Sequence, residues 1–162
     1  MQSYSHIRPI TADDLPALKT TITANELFPA EMLVEMTADY FQQESSQEIW
    51  LTYESEDGKA IAVVYCAPER MTEGTWNLYL IAVHPDYQGR GIGTALVNDL
   101  EQMLSEKGER LLLVETSSLD EYRPTQEFYQ KCGYEREALI REFYQAGEDK
   151  IVFRKSLLNS KP

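Results

Sequence analysis

Along this chain the spacing of apolar residues switches between two periods, and the switches mark its elements. "HIRPI" alternates as a short strand, and "TADDLPALKTTI" then places Leu15, Leu18 and Ile22 on one helical face, with Thr11 and Asp14 spaced as a capping box. Asn25 breaks that helix. Pro29 suits a new first turn, and Leu33, Met36 and Tyr40 form a second stripe, predicting one further helix. "EIWLTYE" and "AIAVVYCA" flank Asp57-Gly58 as a hairpin, and "TWNLYLIAVH" follows a polar loop containing Gly74, giving three antiparallel strands. Ile92, Ala95, Leu96, Leu100, Met103 and Leu104 recur at helical spacing until Gly108. "RLLLVET" is a run of the kind buried on both faces, which implies a strand lying parallel to an earlier one. Pro124 opens a helix through "TQEFYQKC" that Gly133 stops, and "ALIREFY" with "KIVFRKSL" closes the chain as a hairpin. The order β α α β β β α β α β β describes one α/β (α+β) domain over residues 1–162.

Bulk properties narrow the class. A formal charge of −12 opposes a nucleic-acid partner, because phosphate binding wants a basic face. Acidity favours cationic ligands, although it also serves solubility alone. No apolar run approaches the roughly 20 residues that span a bilayer, so no membrane role is expected. The start "MQSYSHIRPI" lacks the basic and apolar segments of a signal peptide, and two cysteines, Cys66 and Cys132, build no disulfide framework. The expected location is cytoplasmic. With only two histidines and no cysteine cluster, no metal site is expected.

The stretch "HPDYQGRGIGTALV" sets Gly89, Gly91 and Gly93 on alternate positions between a strand and a helix. Glycines there let backbone N–H groups approach an anion at a helix start, where those groups have no helical partner. GxGxxG fails at Thr94, and no Gly-Lys-Ser/Thr makes a nucleotide P-loop. What stands is Q-x-x-G-x-G, from Gln88 to Gly93.

Placed after "LIAVHPDY", this motif resembles the acetyl-CoA pyrophosphate loop of the GCN5-related N-acetyltransferase (GNAT) superfamily. "IRPITADDLPAL" is similar to that family's first strand and helix, and "EFYQKCGY" to its motif of aromatic, Tyr, three residues, Gly and aromatic. The closing hairpin resembles the ribosomal-protein alanine acetyltransferase branch. The resemblance implies a mixed, mostly antiparallel sheet of about seven strands, splayed between strands 4 and 5 and flanked by about four helices. It also implies acetyl-CoA as cosubstrate. Backbone groups of Ile81, Ala82 and Val83 would meet the pantetheine arm, and Gln88, Gly89, Arg90, Gly91, Ile92, Gly93 and Thr94 the pyrophosphate. Two departures stand out: Asn77 lies near the position of the family's usual base, and Tyr122 where relatives often carry asparagine.

Acyl transfer to an amine needs a base, a polarised thioester carbonyl and a proton for the departing thiolate. Glu115, ending an apolar run, is the expected base, although the position also suits a glutamate tied to Arg110 or to a backbone amide. Tyr129 is the expected proton donor, the alternative being a core aromatic. His84 reads as a turn residue beside the loop and His6 as a strand edge, while Glu26, Glu31, Glu35 and Asp39 border the acceptor side. The expected activity is transfer from acetyl-CoA to a primary amine, a small cationic one, by direct attack without an acyl-enzyme. A protein N-terminus or lysine as acceptor, or a silent CoA-binding module, stays open, as does a homodimer.

Overall fold

The computed structural model of the chain describes residues 5–158. Its strands are β1 (Ile7–Pro9), β2 (Ile49–Glu54), β3 (Ala60–Pro68), β4 (Thr75–Val83), β5 (Leu111–Ser117), β6 (Glu135–Gln145) and β7 (Glu148–Ser156). Its α-helices are α1 (Leu15–Ala24), α2 (Met32–Met36), α3 (Ala38–Gln42), α4 (Ile92–Glu106) and α5 (Arg123–Lys131). The sheet order is β1-β2-β3-β4-β5-β7-β6, mixed, with β4 and β5 parallel. No helix among the described residues is long and apolar enough to cross a membrane.

Among the described residues the helix count exceeds the sequence expectation by one, and Thr37 is the reason. The stripe Leu33, Met36, Tyr40 runs on unbroken, but it is carried by two five-residue helices, α2 and α3. The buried Thr37 hydroxyl donates back to the carbonyl of Leu33 at 2.9 Å, and its backbone sits at φ −94°, ψ 0°. Such back-bonding bends helices. Pro29 stands ahead of α2, its carbonyl accepting from Met32 N–H at 2.9 Å, rather than inside a first helical turn.

The chain divides into two compact units, one running to Ala67 together with Leu80–Leu100, the other Pro68–Tyr79 with the chain from Glu101 onward. The core of the first gathers Ile10, Leu18, Ile22, Leu33, Trp50, Val63 and Ala82. Leu18, Ile22 and Leu33 are fully buried, and each such side chain stabilises by about 1.5–3 kcal/mol. Trp50 stacks on its cross-strand partner Tyr65 at 4.1 Å. The capping box forms: Thr11 N–H donates to Asp14 Oδ2 at 2.7 Å, and Arg8 clasps both Asp14 oxygens at 2.8 and 2.9 Å.

In the second unit β4 pairs with β5 over only four residue pairs, Thr75↔Leu111 to Leu78↔Val114. Both strands run on beyond that ladder, β4 to Val83 and β5 to Ser117. The pairing thus stops where the sheet was expected to open. β5 then pairs antiparallel with β7, and β7 with β6. Glu101, late in α4, ties this unit together by accepting from Tyr134 Oη at 2.6 Å and Lys155 Nζ at 2.9 Å.

Candidate active site

The first unit holds the glycine loop. β4 ends at Val83, and a single 3-10 turn, Pro85–Tyr87, leads into Gln88 and the loop. His84 caps that turn, its Nδ1 accepting from Asp86 N–H at 3.1 Å, so the turn reading holds. Gly89 and Gly91 stand at φ +78° and +81°, which side chains rarely adopt, while Gly93 already lies inside α4. A Cβ built on Gly89 or Gly91 meets nothing within 4 Å. The glycines are therefore fixed by backbone sign and leave open space above them. The first helical bond runs from Ala95 N–H to Gly91 O at 3.0 Å. The N–H groups of Ile92, Gly93 and Thr94 consequently lack helical partners, and the helix dipole favours an anion beside them. Arg90 adds a positive charge, its guanidinium 5.1 Å from the centre of the Tyr87 ring.

The Gln88 side chain turns away from this cradle. Its Nε2 donates to Asn25 Oδ1 at 3.0 Å and to Val83 O at 2.9 Å, while Asn25 Nδ2 donates to the same Val83 carbonyl at 3.0 Å. A closed triangle thus braces the loop against the end of β4 and the end of α1. The Val83 carbonyl is already doubly engaged, which narrows what Ile81, Ala82 and Val83 offer a ligand. Asn25 read as a helix breaker in the sequence, since nothing local links it to residues some sixty positions on.

The second unit holds Glu115 and Tyr129. Glu115 is half-buried at the β5 end of the apolar run, but its partner is not Arg110, whose Nε donates to Glu73 O at 2.7 Å. Lys150 Nζ lies 3.3 Å from Glu115 Oε1, and Asn77 Nδ2 donates to Glu115 Oε2 at 3.1 Å and to Glu69 Oε2 at 2.7 Å. Glu69, just past β3, is a carboxylate the sequence reading missed. Tyr129, on α5, is 2% exposed among Phe128, Tyr134 and Phe153. Burial pushes its hydroxyl well above the usual tyrosine range, which keeps it protonated.

Strand alternation places these two groups on opposite faces. Val114 pairs with Phe153, against which Tyr129 packs, and Glu115 is the next residue on β5. Successive side chains point to opposite sides. Glu115 therefore shares its face with Asn77, whose partner Leu113 lies two residues before it. The structure does not bring Glu115 and Tyr129 together.

The thiols lie outside this chemistry. Cys66 is fully buried and burial raises it strongly, and Cys132 is raised by burial and then by Glu101. Neither is a ready thiolate.

The sequence profile of the acetyltransferase (GNAT) family matches residues 13–134. The chain belongs to the GNAT family. A GNAT-family protein from Desulfovibrio desulfuricans is 29% identical, with a TM-score of 0.87 over 93% of this chain and 98% of that one. The ribosomal-protein-S18-alanine N-acetyltransferase of Escherichia coli is 23% identical at a TM-score of 0.73, covering 96% of this chain and 95% of that one, and so shares the GNAT fold. Among sequences, an uncharacterized N-acetyltransferase of Methanocaldococcus jannaschii is 30% identical over 108 residues, 65% of each chain. Streptothricin acetyltransferase A of Bacillus subtilis is 30% identical over 89 residues, 50% of this chain and 51% of that one. The match thus spans about half to two thirds of these curated relatives.

Proposed function

We propose that the chain is an acetyl-CoA-dependent N-acetyltransferase acting on a primary amine, a small cationic one. The observation that carries this reading is the loop from Gly89 to Thr94 on a chain of the GNAT family. Two left-handed glycines with open space above them, the partnerless N–H groups of Ile92, Gly93 and Thr94, and Arg90 beside them suit a pyrophosphate. Acetyl-CoA, when bound, supplies an acetyl thioester. Glu115 takes a proton from the acceptor's ammonium, which frees the nitrogen lone pair for attack on the acetyl carbon. The new C–N bond forms as the C–S bond breaks; Tyr129, on the other face of β5 from Glu115, gives the leaving sulfur its proton, and the second proton of the acylated nitrogen leaves to solvent, from which the tyrosinate regains its own. No acyl-enzyme is needed, in keeping with two thiols held protonated. The acidic residues Glu26, Glu31, Glu35 and Asp39, all exposed, favour a cationic acceptor.

The test offers acetyl-CoA with a panel of primary amines and short peptides with free N-termini, reading thiol release and product mass. Acetylated small amines support the reading, acetylated peptides alone move the acceptor class to proteins, and no thiol release with any acceptor defeats it. Glu115→Gln is expected to lower turnover about 10²-fold at neutral pH, with partial recovery at high pH as the amine loses its own proton. Tyr129→Phe is expected to lower kcat without such recovery, because its defect lies in the leaving group. A wild-type pH profile in Glu115→Gln removes it as the base.

A further inference from the structure

The pairing of Asn77 with Glu115 has a second side. Asn77 is 1% exposed, and its Nδ2 donates to Glu69 and to Glu115. An amide NH2 has two hydrogens and an amide oxygen has none, so two carboxylates fix which way this amide points. Both hydrogens are committed. Asn77 Oδ1 is left without a donor, closed off from bulk water. A buried acceptor in that state costs free energy, which a donor brought to it relieves.

The charges do not balance either. Lys150 pairs with Glu115, and among the described residues no cation lies within pairing distance of Glu69. Two carboxylates and one ammonium leave one negative charge in excess. Tyr79 stands two residues after Asn77 on β4, hence on the same face, and is half exposed. Tyr144 lies within electrostatic reach of Glu115: burial first, then the Glu115 and Glu148 carboxylates, raises its hydroxyl. Neutral aromatic rings beside excess negative charge suit an organic cation.

We propose that Glu69, Asn77 and Glu115 seat the acceptor's ammonium, with Glu69 as its counter-ion. This rests on reading the chain as an amine acetyltransferase. A primary ammonium brings three N–H donors and one positive charge. The cluster supplies two carboxylates, one donorless amide oxygen and one excess negative charge. Labour is then divided: Glu69 holds the cation, and Glu115 removes its proton.

Binding is read directly, without turnover. 1,4-diaminobutane, and 1,4-butanediol as the uncharged control, are titrated by calorimetry into full-length wild type and Glu69→Gln at pH 7. The diamine is expected to bind wild type about tenfold or more tightly than Glu69→Gln, the loss of a hydrogen bond to a charged group. The diol is expected not to distinguish them, and Glu69→Asp, which keeps the charge, to recover part of the affinity. Equal diamine affinity in wild type and Glu69→Gln overturns the proposal, as does a wild type that binds no diamine. If Glu69→Gln fails to fold by circular dichroism, Glu69→Asp and Glu69→Ala carry the comparison on the same terms. In turnover, Glu69→Gln raises KM for the amine more than it lowers kcat, the reverse of Glu115→Gln. Failure of the acetyl-transfer reading shows separately, as absence of thiol release.

Discussion

Gly91 and Gly58 make a matched pair, because both stand at φ +81° and a Cβ built on either meets nothing within 4 Å. Replacing each with alanine therefore adds no clash, and the cost is the left-handed backbone alone, about 1–2 kcal/mol. The added Cβ also restricts the unfolded chain, which returns about 0.4–1 kcal/mol. The net loss is about 1 kcal/mol at each site, or about 2–4 °C in Tm for a chain of this length. Thermal melts of the two variants should agree within that margin. Acetyl-CoA binding should not agree. If the loop holds the pyrophosphate as proposed, Gly91→Ala places a methyl group in the phosphates' path and disturbs the N–H groups that would receive them. Losing one hydrogen bond to a charged group weakens affinity about tenfold or more. Gly58, in the β2–β3 turn, carries no such duty, so Gly58→Ala should bind as wild type does. Calorimetric titration of acetyl-CoA into the three proteins decides the matter. Equal affinity in all three, or a loss in Gly58→Ala matching that in Gly91→Ala, refutes the assignment of the loop.

Asp14→Asn removes the carboxylate that Arg8 clasps and should cost about 2 kcal/mol at pH 7, lowering Tm by about 4–8 °C. Arg8 holds the folded Asp14 below its ordinary value of about 3.9. Its stabilisation is thus complete above pH 4 and lost as pH falls through the folded value, so melts of wild type and variant should converge in acid. If Glu26, Glu31, Glu35 and Asp39 steer a cation, kcat/KM for a charged amine should fall with added salt while that for an amine uncharged at the assay pH stays flat. Equal salt sensitivity removes the steering.

What the sequence made legible were features whose cause is local. Asp57-Gly58, Gly108 and Gly133 end elements because each glycine takes a positive φ, and the box of Thr11 and Asp14 needs only four residues. The paired carboxylates were not legible. Glu69 meets Asn77 across a loop, Glu115 meets Asn77 from another strand, and Lys150 arrives from β7 by sheet register. Arg110 was the natural guess for Glu115 because it is near in sequence, yet strand geometry sends it to Glu73. Thr37 defeated the periodic reading for a different reason: a hydroxyl bonding back to Leu33 breaks a helix without disturbing its apolar stripe.

The alternation along β5 also bears on how such a protein diversifies. Even-numbered positions Leu112, Val114 and Thr116 are buried, while Leu113 and Glu115 stay partly open on the other side. The even positions anchor the packing behind Tyr129, and the odd ones border the proposed amine seat. A library varied at 113 and at its neighbours on that face, with Glu115 kept as the proposed base, would explore new acceptors while leaving the packing behind Tyr129 untouched. A two-residue repeat thereby lets the acceptor side drift independently of the packing on the opposite face.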